Sequence, residues 1–233
     1  MTSLRVLTIL LLLWTGELLW ASDAAKTNGG SIASPGRVVI LGDSVTAGYG
    51  LDDPAQQAYP ALLQRKIDAA GLPFTVVNAG VSGDTTASGL RRVDWVLGPG
   101  AAVLVVALGG NDGLRGIPPR QTAENLAAII RRARAKVPGL AVIVAGMEMP
   151  ESMGHEFAEQ FRAVFPRVAM ETNAVLIPFL LEGVGGEAAL NQPDRIHPTA
   201  EGQKRVAANV WAVLKPVLEA RQAAAAGDPR SGG

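Results

Sequence analysis

The chain has no cysteine in its 233 residues. That removes a thiolate nucleophile, a cysteine-type zinc site and a lipid-modified cysteine, and the folded part must stand on its apolar core without disulfides. Charge of one sign is also missing: 21 basic residues balance 21 acidic ones. Neither a nucleic acid nor an anionic membrane finds an electrostatic footprint on such a chain, and a small or neutral substrate fits better. Aromatic residues reach only 5%, which leaves little material for a cleft that stacks sugar rings. Histidine occurs twice, so a general base must be His155 or His197.

No apolar run is long enough to be a secure membrane anchor. Met1 to Ala25 opens with Arg5, continues through the apolar segment Val6 to Leu13, and is interrupted at Thr15, Gly16 and Glu17. A spanning helix needs roughly 20 apolar residues in a row. The pattern, with small residues at Ala21, Ser22, Ala24 and Ala25, predicts a secretory signal over 1–25, and hence a protein that is periplasmic or secreted. Residues 26–35 are rich in Gly, Ser, Asn and Ala and read as a flexible lead.

With 48% hydrophobic residues, the rest is sufficient for one domain, expected over 36–220. Arg37–Leu41, Phe74–Val77, Ala101–Leu108, Leu140–Ala145 and Ala174–Ile177 read as strands. Between them, helical periodicity runs over Gln57–Ala70, Thr85–Val93, Thr122–Ala135 and Glu156–Glu171, where Pro166 should kink or shorten the helix. Thr199 can cap a last helix to about Leu218, with Pro216 bending its final turn, and the Ala-, Gly- and Pro-rich segment 221–233 reads as a disordered tail. Strands alternating with helices predict a flavodoxin-like three-layer α/β/α sandwich around a five-stranded parallel sheet.

The apolar run Val38 to Leu41 stops at Gly42-Asp43-Ser44. Ligands of open α/β sheets bind outside the carboxyl ends of the strands, so Ser44 is presented to a substrate there. Its competing role is that of a helix N-cap. A phosphate cradle is disfavoured, because this loop has neither a P-loop nor a dinucleotide-binding glycine pattern. A nucleophilic Ser needs a base. His155, beside Gly154, reads as an exposed helix-start residue, whereas His197 follows Asp194 by three positions in DRIHP. An acid and an imidazole at that spacing can meet, leaving the other ring nitrogen for Ser44. The G-x-S-x-G elbow of α/β-hydrolases is absent, so the design is a different one. Oxyanion donors are available from the Ser44 N–H, from Gly83 in VSGDT and from the Asn111 side chain in LGGNDG. Gly83 can equally serve a tight turn, and Asn111 or Asp112 an Asx-turn or cap.

The blocks ILGDSVTAG, NAGVSGDT, LGGNDG and DRIHP, in this order, resemble the SGNH, or GDSL-type, hydrolase family. Through LGDSVTAGYG, VSGDTTASGL and GGNDGLRG followed by Gln121-Thr122, the chain is most similar to the bacterial exported acyl-CoA thioesterase I, lysophospholipase and arylesterase group. The resemblance implies the SGNH hydrolase fold, Ser44 as nucleophile, His197 as base, Asp194 as its orienting acid, and an oxyanion hole from Ser44, Gly83 and Asn111. It implies no metal and no cofactor. Val45 replaces the Leu of the GDSL name, a mild apolar exchange.

In such a fold the segment Gly146 to Gly154 borders the acyl pocket, so Met147, Glu148, Met149 and Pro150 are expected at the substrate. Asp43, Asp112, Gly113, Leu114 and Ile196 are expected there too. Methionines fill irregular apolar space and suit acyl groups of variable shape, although a Met cluster is also ordinary core material. Glu148 and Glu151 disfavour the phosphate-rich acyl-CoA, so neutral esters and lysophospholipids are the expected substrates. The whole reads as an exported monomeric serine esterase of aryl, short to medium acyl and lysophospholipid esters, with thioesters as a further substrate. Its rivals are a sugar or cell-wall O-deacetylase of the same family and a non-catalytic binding module. Gly113 and Gly116 are candidate hinges of a lid over 113–119.

Overall fold

Strand β1 (Gly36–Gly42) carries Val38, Val39, Ile40 and Leu41, all fully buried. A strand with no exposed side is what a parallel sheet covered on both faces requires. The computed structural model describes residues 36–226, which lie in one compact unit. The expected signal, the flexible lead and the end of the tail, residues 227–233, lie outside the described residues.

After β1 the chain forms α1 (Ser44–Ala47), α2 (Pro54–Gln57), α3 (Tyr59–Ala69) and β2 (Phe74–Gly80). It continues through α4 (Thr86–Val96), β3 (Ala101–Ala107), α5 (Gly110–Leu114), α6 (Pro119–Lys136) and β4 (Ala141–Ala145). A 3-10 turn (Glu151–Met153), α7 (His155–Arg162), α8 (Val164–Glu171), β5 (Val175–Ile177) and α9 (Ala200–Ala226) complete it. The sheet is parallel throughout in the order β2-β1-β3-β4-β5. Helices α3 and α9 pack together on one side, while α4, α6 and α8 pack together on the other. The expected α/β/α sandwich is therefore present.

Two features of the sheet position the site. The chain leaves β1 for β2 on one side and later returns to β3 on the other, so β1 and β3 flank the point where ligands of such sheets bind. The register also pairs Gly42 with both Gly80 and Ala107. The carboxyl ends of β2, β1 and β3 are thus level, and the loops that follow them start abreast.

Helix α4 runs on to Val96 and α6 starts early, at Pro119; the other departures from the expected helix limits have a reason in the backbone. The predicted helix 57–70 is interrupted at Ala58, which is extended; Pro60 has no N–H for the carbonyl of Gln56, so α3 must begin anew. The predicted helix 156–171 breaks at Ala163, which places Pro166 in the first turn of α8, where its missing N–H has no intrahelical acceptor to serve. The last helix starts after Thr199, whose Oγ1 accepts from the Gly202 N–H at 3.2 Å. It does not end near Leu218 but carries on to Ala226, into the segment expected as an irregular tail. Buried Leu214 and Leu218 hold it on both sides of Pro216, and the alanines beyond are strong helix formers.

Candidate active site

Ser44 is the first residue of α1, and the capping role that competes for it is taken by its neighbour. Asp43 is the N-cap, its Oδ1 accepting from the Val45 N–H at 3.0 Å. The turn is tight enough that a Cβ on Gly42 would stand 2.0 Å from Thr46 Oγ1, so only glycine fits at the strand end. Released from capping, the Ser44 side chain reaches across to the segment before α9. Asp43 itself is 5% exposed. Burial pushes its carboxyl up to about 6 from 3.8, against the Val45 N–H and the nearby His197 charge, which favour the ionised form.

Ser44 Oγ lies 2.9 Å from His197 Nε2, and His197 Nδ1 lies 2.6 Å from Asp194 Oδ2. Asp194 Oδ1 accepts from the backbone N–H groups of Ile196 and His197 at 2.9 and 3.0 Å. Desolvation alone would raise the Asp194 carboxyl. The His197 hydrogen bond, the two backbone donors and the imidazole charge outweigh it and hold the carboxyl at about 2. The turn is closed by the Gln192 N–H donating to the His197 carbonyl at 2.7 Å and by a bridge between Asn191 and Pro198. Gln192 Nε2 also donates to the Tyr49 carbonyl, while the Tyr49 ring lies 4.7 Å from that of His197. Gln203 of α9 donates to the Val45 carbonyl and accepts from the Tyr59 N–H, tying the base-bearing end of the chain to the Ser44 turn.

The candidate oxyanion donors come from three strand ends. The Ser44 N–H belongs to the first turn of a helix, where no intrahelical acceptor exists. Asn111 follows β3, and its Nδ2 donates to the Asp84 carbonyl at 3.0 Å, leaving its second N–H with no acceptor among the described residues. Gly83 follows β2 in an exposed turn with φ of 83°, and its carbonyl accepts from Arg115 Nη2 at 3.0 Å. Ser44 and Asn111 line the cavity described below, whereas Gly83 stands outside its lining. Arg92 holds this corner together: Nε pairs with Asp84 Oδ2 at 2.6 Å, Nη1 donates to the Ala79 carbonyl and Nη2 to the Gly42 carbonyl. Sequence reasoning missed Arg92. Its only signal was an arginine inside the helix that follows a strand-end aspartate.

A cavity of about 580 Å3 opens at Ser44, His197 and Asn111. Of the expected substrate contacts, Asp43, Leu114, Met147, Glu148, Met149, Pro150 and Ile196 line it. Asp112 does not: it is fully buried, accepting from the Thr86 N–H at 2.8 Å and from the Thr86 and Thr122 hydroxyls. Gly113 does not line it either, because Met149 covers it; a Cβ there would stand 2.4 Å from the Met149 sulfur. Glu151 lies off the cavity on the 3-10 turn, 3.8 Å from exposed His155. Phe179, Leu181 and Arg195 line the cavity unforeseen, since nothing in the loop after β5 had announced a pocket wall.

A smaller hollow of about 360 Å3 between α3 and β2 holds no Ser and His together. Among the described residues no group of three or more His, Asp or Glu side chains is gathered to hold a metal ion. No helix of the described residues is long and apolar enough to cross a membrane.

A family model described as the GDSL-like Lipase/Acylhydrolase family matches residues 40–205. Esterase TesA of Pseudomonas aeruginosa is 43% identical over 182 residues, 78% of this chain and 89% of that protein. The thioesterase 1/protease 1/lysophospholipase L1 of Escherichia coli K12 is 36% identical over 195 residues, 80% of this chain and 86% of that protein. A crystal structure of TesA superposes with a TM-score of 0.74 at 42% identity, covering 78% of this chain and 99% of that one.

Proposed function

The chain belongs to the GDSL-like lipase/acylhydrolase family, the SGNH hydrolases, and from that premise we propose how its residues carry out ester hydrolysis. It is a serine hydrolase acting on ester bonds. Ser44 Oγ attacks the acyl carbonyl while His197 Nε2 takes its proton; the same nitrogen then returns the proton to the leaving oxygen, and water repeats the sequence on the acyl-serine. Asp194 holds Nδ1–H and stabilises the imidazolium that forms. The Ser44 N–H and the free N–H of Asn111 meet the oxyanion, with the Gly83 N–H as third donor once substrate is bound.

The observation that carries this reading is the unbroken line from Asp194 through His197 to Ser44, at 2.6 and 2.9 Å, opening on a cavity. Met147, Met149, Phe179 and Leu181 make an apolar wall, which favours acyl groups longer than acetyl over acetylated glycans. Relatives named as an esterase and as a thioesterase and lysophospholipase support the same class. The enzyme works after export, on the strength of the charged and then apolar segment Met1 to Ala25.

The test is hydrolysis of 4-nitrophenyl esters from acetate to palmitate by the wild type and by Ser44→Ala. The wild type should prefer chains beyond acetate, and the variant should lose at least about 10³-fold in kcat. Unimpaired turnover by Ser44→Ala would remove the serine mechanism.

A further inference from the structure

The charged groups around Ser44 are engaged, with two exceptions. Asp194 is paired with His197, Arg92 with Asp84, and Arg115 donates to the Gly83 carbonyl. Arg195 and Glu148 both line the cavity, and among the described residues neither side chain has an ion pair or hydrogen bond. An arginine left free at a substrate cavity has its full fork of donors available.

Arg195 also stands where arginine is uncommon. Its φ is 59°, in the left-handed region where Cβ crowds the backbone of every residue but glycine. The site imposes this shape. The chain must coil back within one turn for Asp194 to reach the Ile196 N–H, the His197 N–H and the imidazole together. Glycine would satisfy the backbone without strain, so the side chain is what a non-glycine adds at this position.

Its place identifies what it meets. His197 must return the proton to the leaving oxygen, so the departing half of the substrate lies against His197, and Arg195 belongs to the same turn through its N–H to the Gln192 carbonyl at 2.8 Å. The apolar wall comes instead from Met147 and Met149 after β4 and from Phe179 and Leu181 at the start of the long connection after β5, well before the Asp194–His197 turn, and it is the acyl side. Resting on the esterase reading above, we infer that Arg195 is a specificity-determining residue that receives a phosphate carried by the leaving group of the substrate. A guanidinium pairs two phosphate oxygens in parallel, a geometry that a lysine cannot reproduce. Glu148 narrows the class: it repels a polyanion, while a single phosphodiester bearing a cationic headgroup meets one charge of each sign.

The phosphate belongs either to a lipid headgroup or to coenzyme A, and one experiment separates the two. Steady-state kinetics would be measured on monomeric 1-lauroylglycerol, lauroyl-lysophosphatidylcholine and lauroyl-CoA, for wild type, Arg195→Gly, Arg195→Asn and Arg195→Lys. Relative to lauroylglycerol, Arg195→Gly and Arg195→Asn should lose about tenfold or more in kcat/KM on a phosphate-bearing substrate, chiefly through KM, and Arg195→Lys should recover part of it. Loss on lysophosphatidylcholine assigns the headgroup, and loss on lauroyl-CoA alone assigns the coenzyme phosphates. Arg195→Gly should unfold at or above the wild-type temperature, because it relieves the backbone. Arg195→Asn, which tolerates the left-handed region, keeps the test decisive if glycine loosens the turn. An equal loss on all three substrates, no loss, or a wild type that cleaves only lauroylglycerol overturns the assignment. A wild type inactive on all three overturns the esterase reading itself.

Discussion

Replacing Asp194 by Asn and by Ala should damage the enzyme by different amounts, and the order is the informative result. In the wild type Oδ1 accepts two backbone N–H groups and Oδ2 faces His197 Nδ1. The asparagine of Asp194→Asn would keep its carbonyl on the two backbone donors, which forces its amide N–H towards Nδ1. The imidazole must then carry its proton on Nε2, pointing at Ser44, and cannot accept the serine proton. A wrong tautomer of this kind costs about 10⁴ in kcat in other triads. The alanine of Asp194→Ala imposes nothing. Asp194 is 38% exposed, so water can take the place of the carboxylate and the working tautomer survives. What is lost is the attraction between carboxylate and imidazolium, about 1 kcal/mol for close charges in water and about 4 kcal/mol near a protein surface. Exposure puts this pair towards the lower figure, about 1 to 2 kcal/mol, or about 5- to 30-fold. The assay is kcat for 4-nitrophenyl butyrate, with the imidazole N–H resonance of each variant as a check on the tautomer. If Asp194→Ala is as slow as Asp194→Asn, or slower, the tautomer argument is wrong and the acid acts through charge alone.

Asn111→Ala should lower kcat by about 10²- to 10³-fold with a smaller effect on KM, as loss of one oxyanion donor does elsewhere; unchanged kcat in stopped-flow turnover would take Asn111 out of the hole. Asp43→Asn keeps the cap on the Val45 N–H but removes a carboxyl whose folded pKa, about 6, lies above its reference value of 3.8. The native state binds the extra proton in that window, so the wild type should lose stability as pH rises from about 4 to about 6 and stay level above, a fall of at most about 3 kcal/mol. Urea midpoints at pH 4 and pH 7.5 should differ less in the variant from this cause, and an identical pH slope would refute it. Arg92→Met strips Asp84 of its partner and leaves the Gly42 and Ala79 carbonyls short of a donor. It should cost about 2 to 4 kcal/mol in denaturant unfolding. It should also slow turnover, because the Asp84 carbonyl positions Asn111; full stability would show that water replaces the guanidinium.

Much of the fold was legible because parallel strands covered on both faces are apolar at consecutive positions, as Val38 to Leu41 and Val103 to Val106 are. Proline was legible at Pro166, expected to shorten its helix, which breaks at Ala163. It was not at Pro60, where the expected helix instead breaks at Ala58 and restarts. Asp194 and His197 could be paired from spacing because a turn brings positions three apart together. Asp112 was misassigned for the opposite reason: a carboxylate next to Asn111 in sequence points into the core, to Thr86 and Thr122, which no local pattern announces.

Periodicity and residue chemistry over a few neighbours were enough for the alternation of strands and helices, the small residues at the strand ends and the chemical types offered there. Long-range packing was needed to settle that Asp43 rather than Ser44 caps α1, that Arg92 braces the ends of β1 and β2, and that Phe179, Leu181 and Arg195 share a cavity with Met147. Those outcomes depend on contacts between segments far apart in the chain. The strand order and the level register of β2, β1 and β3 bring those segments together, and neither is written in the neighbours of any one residue.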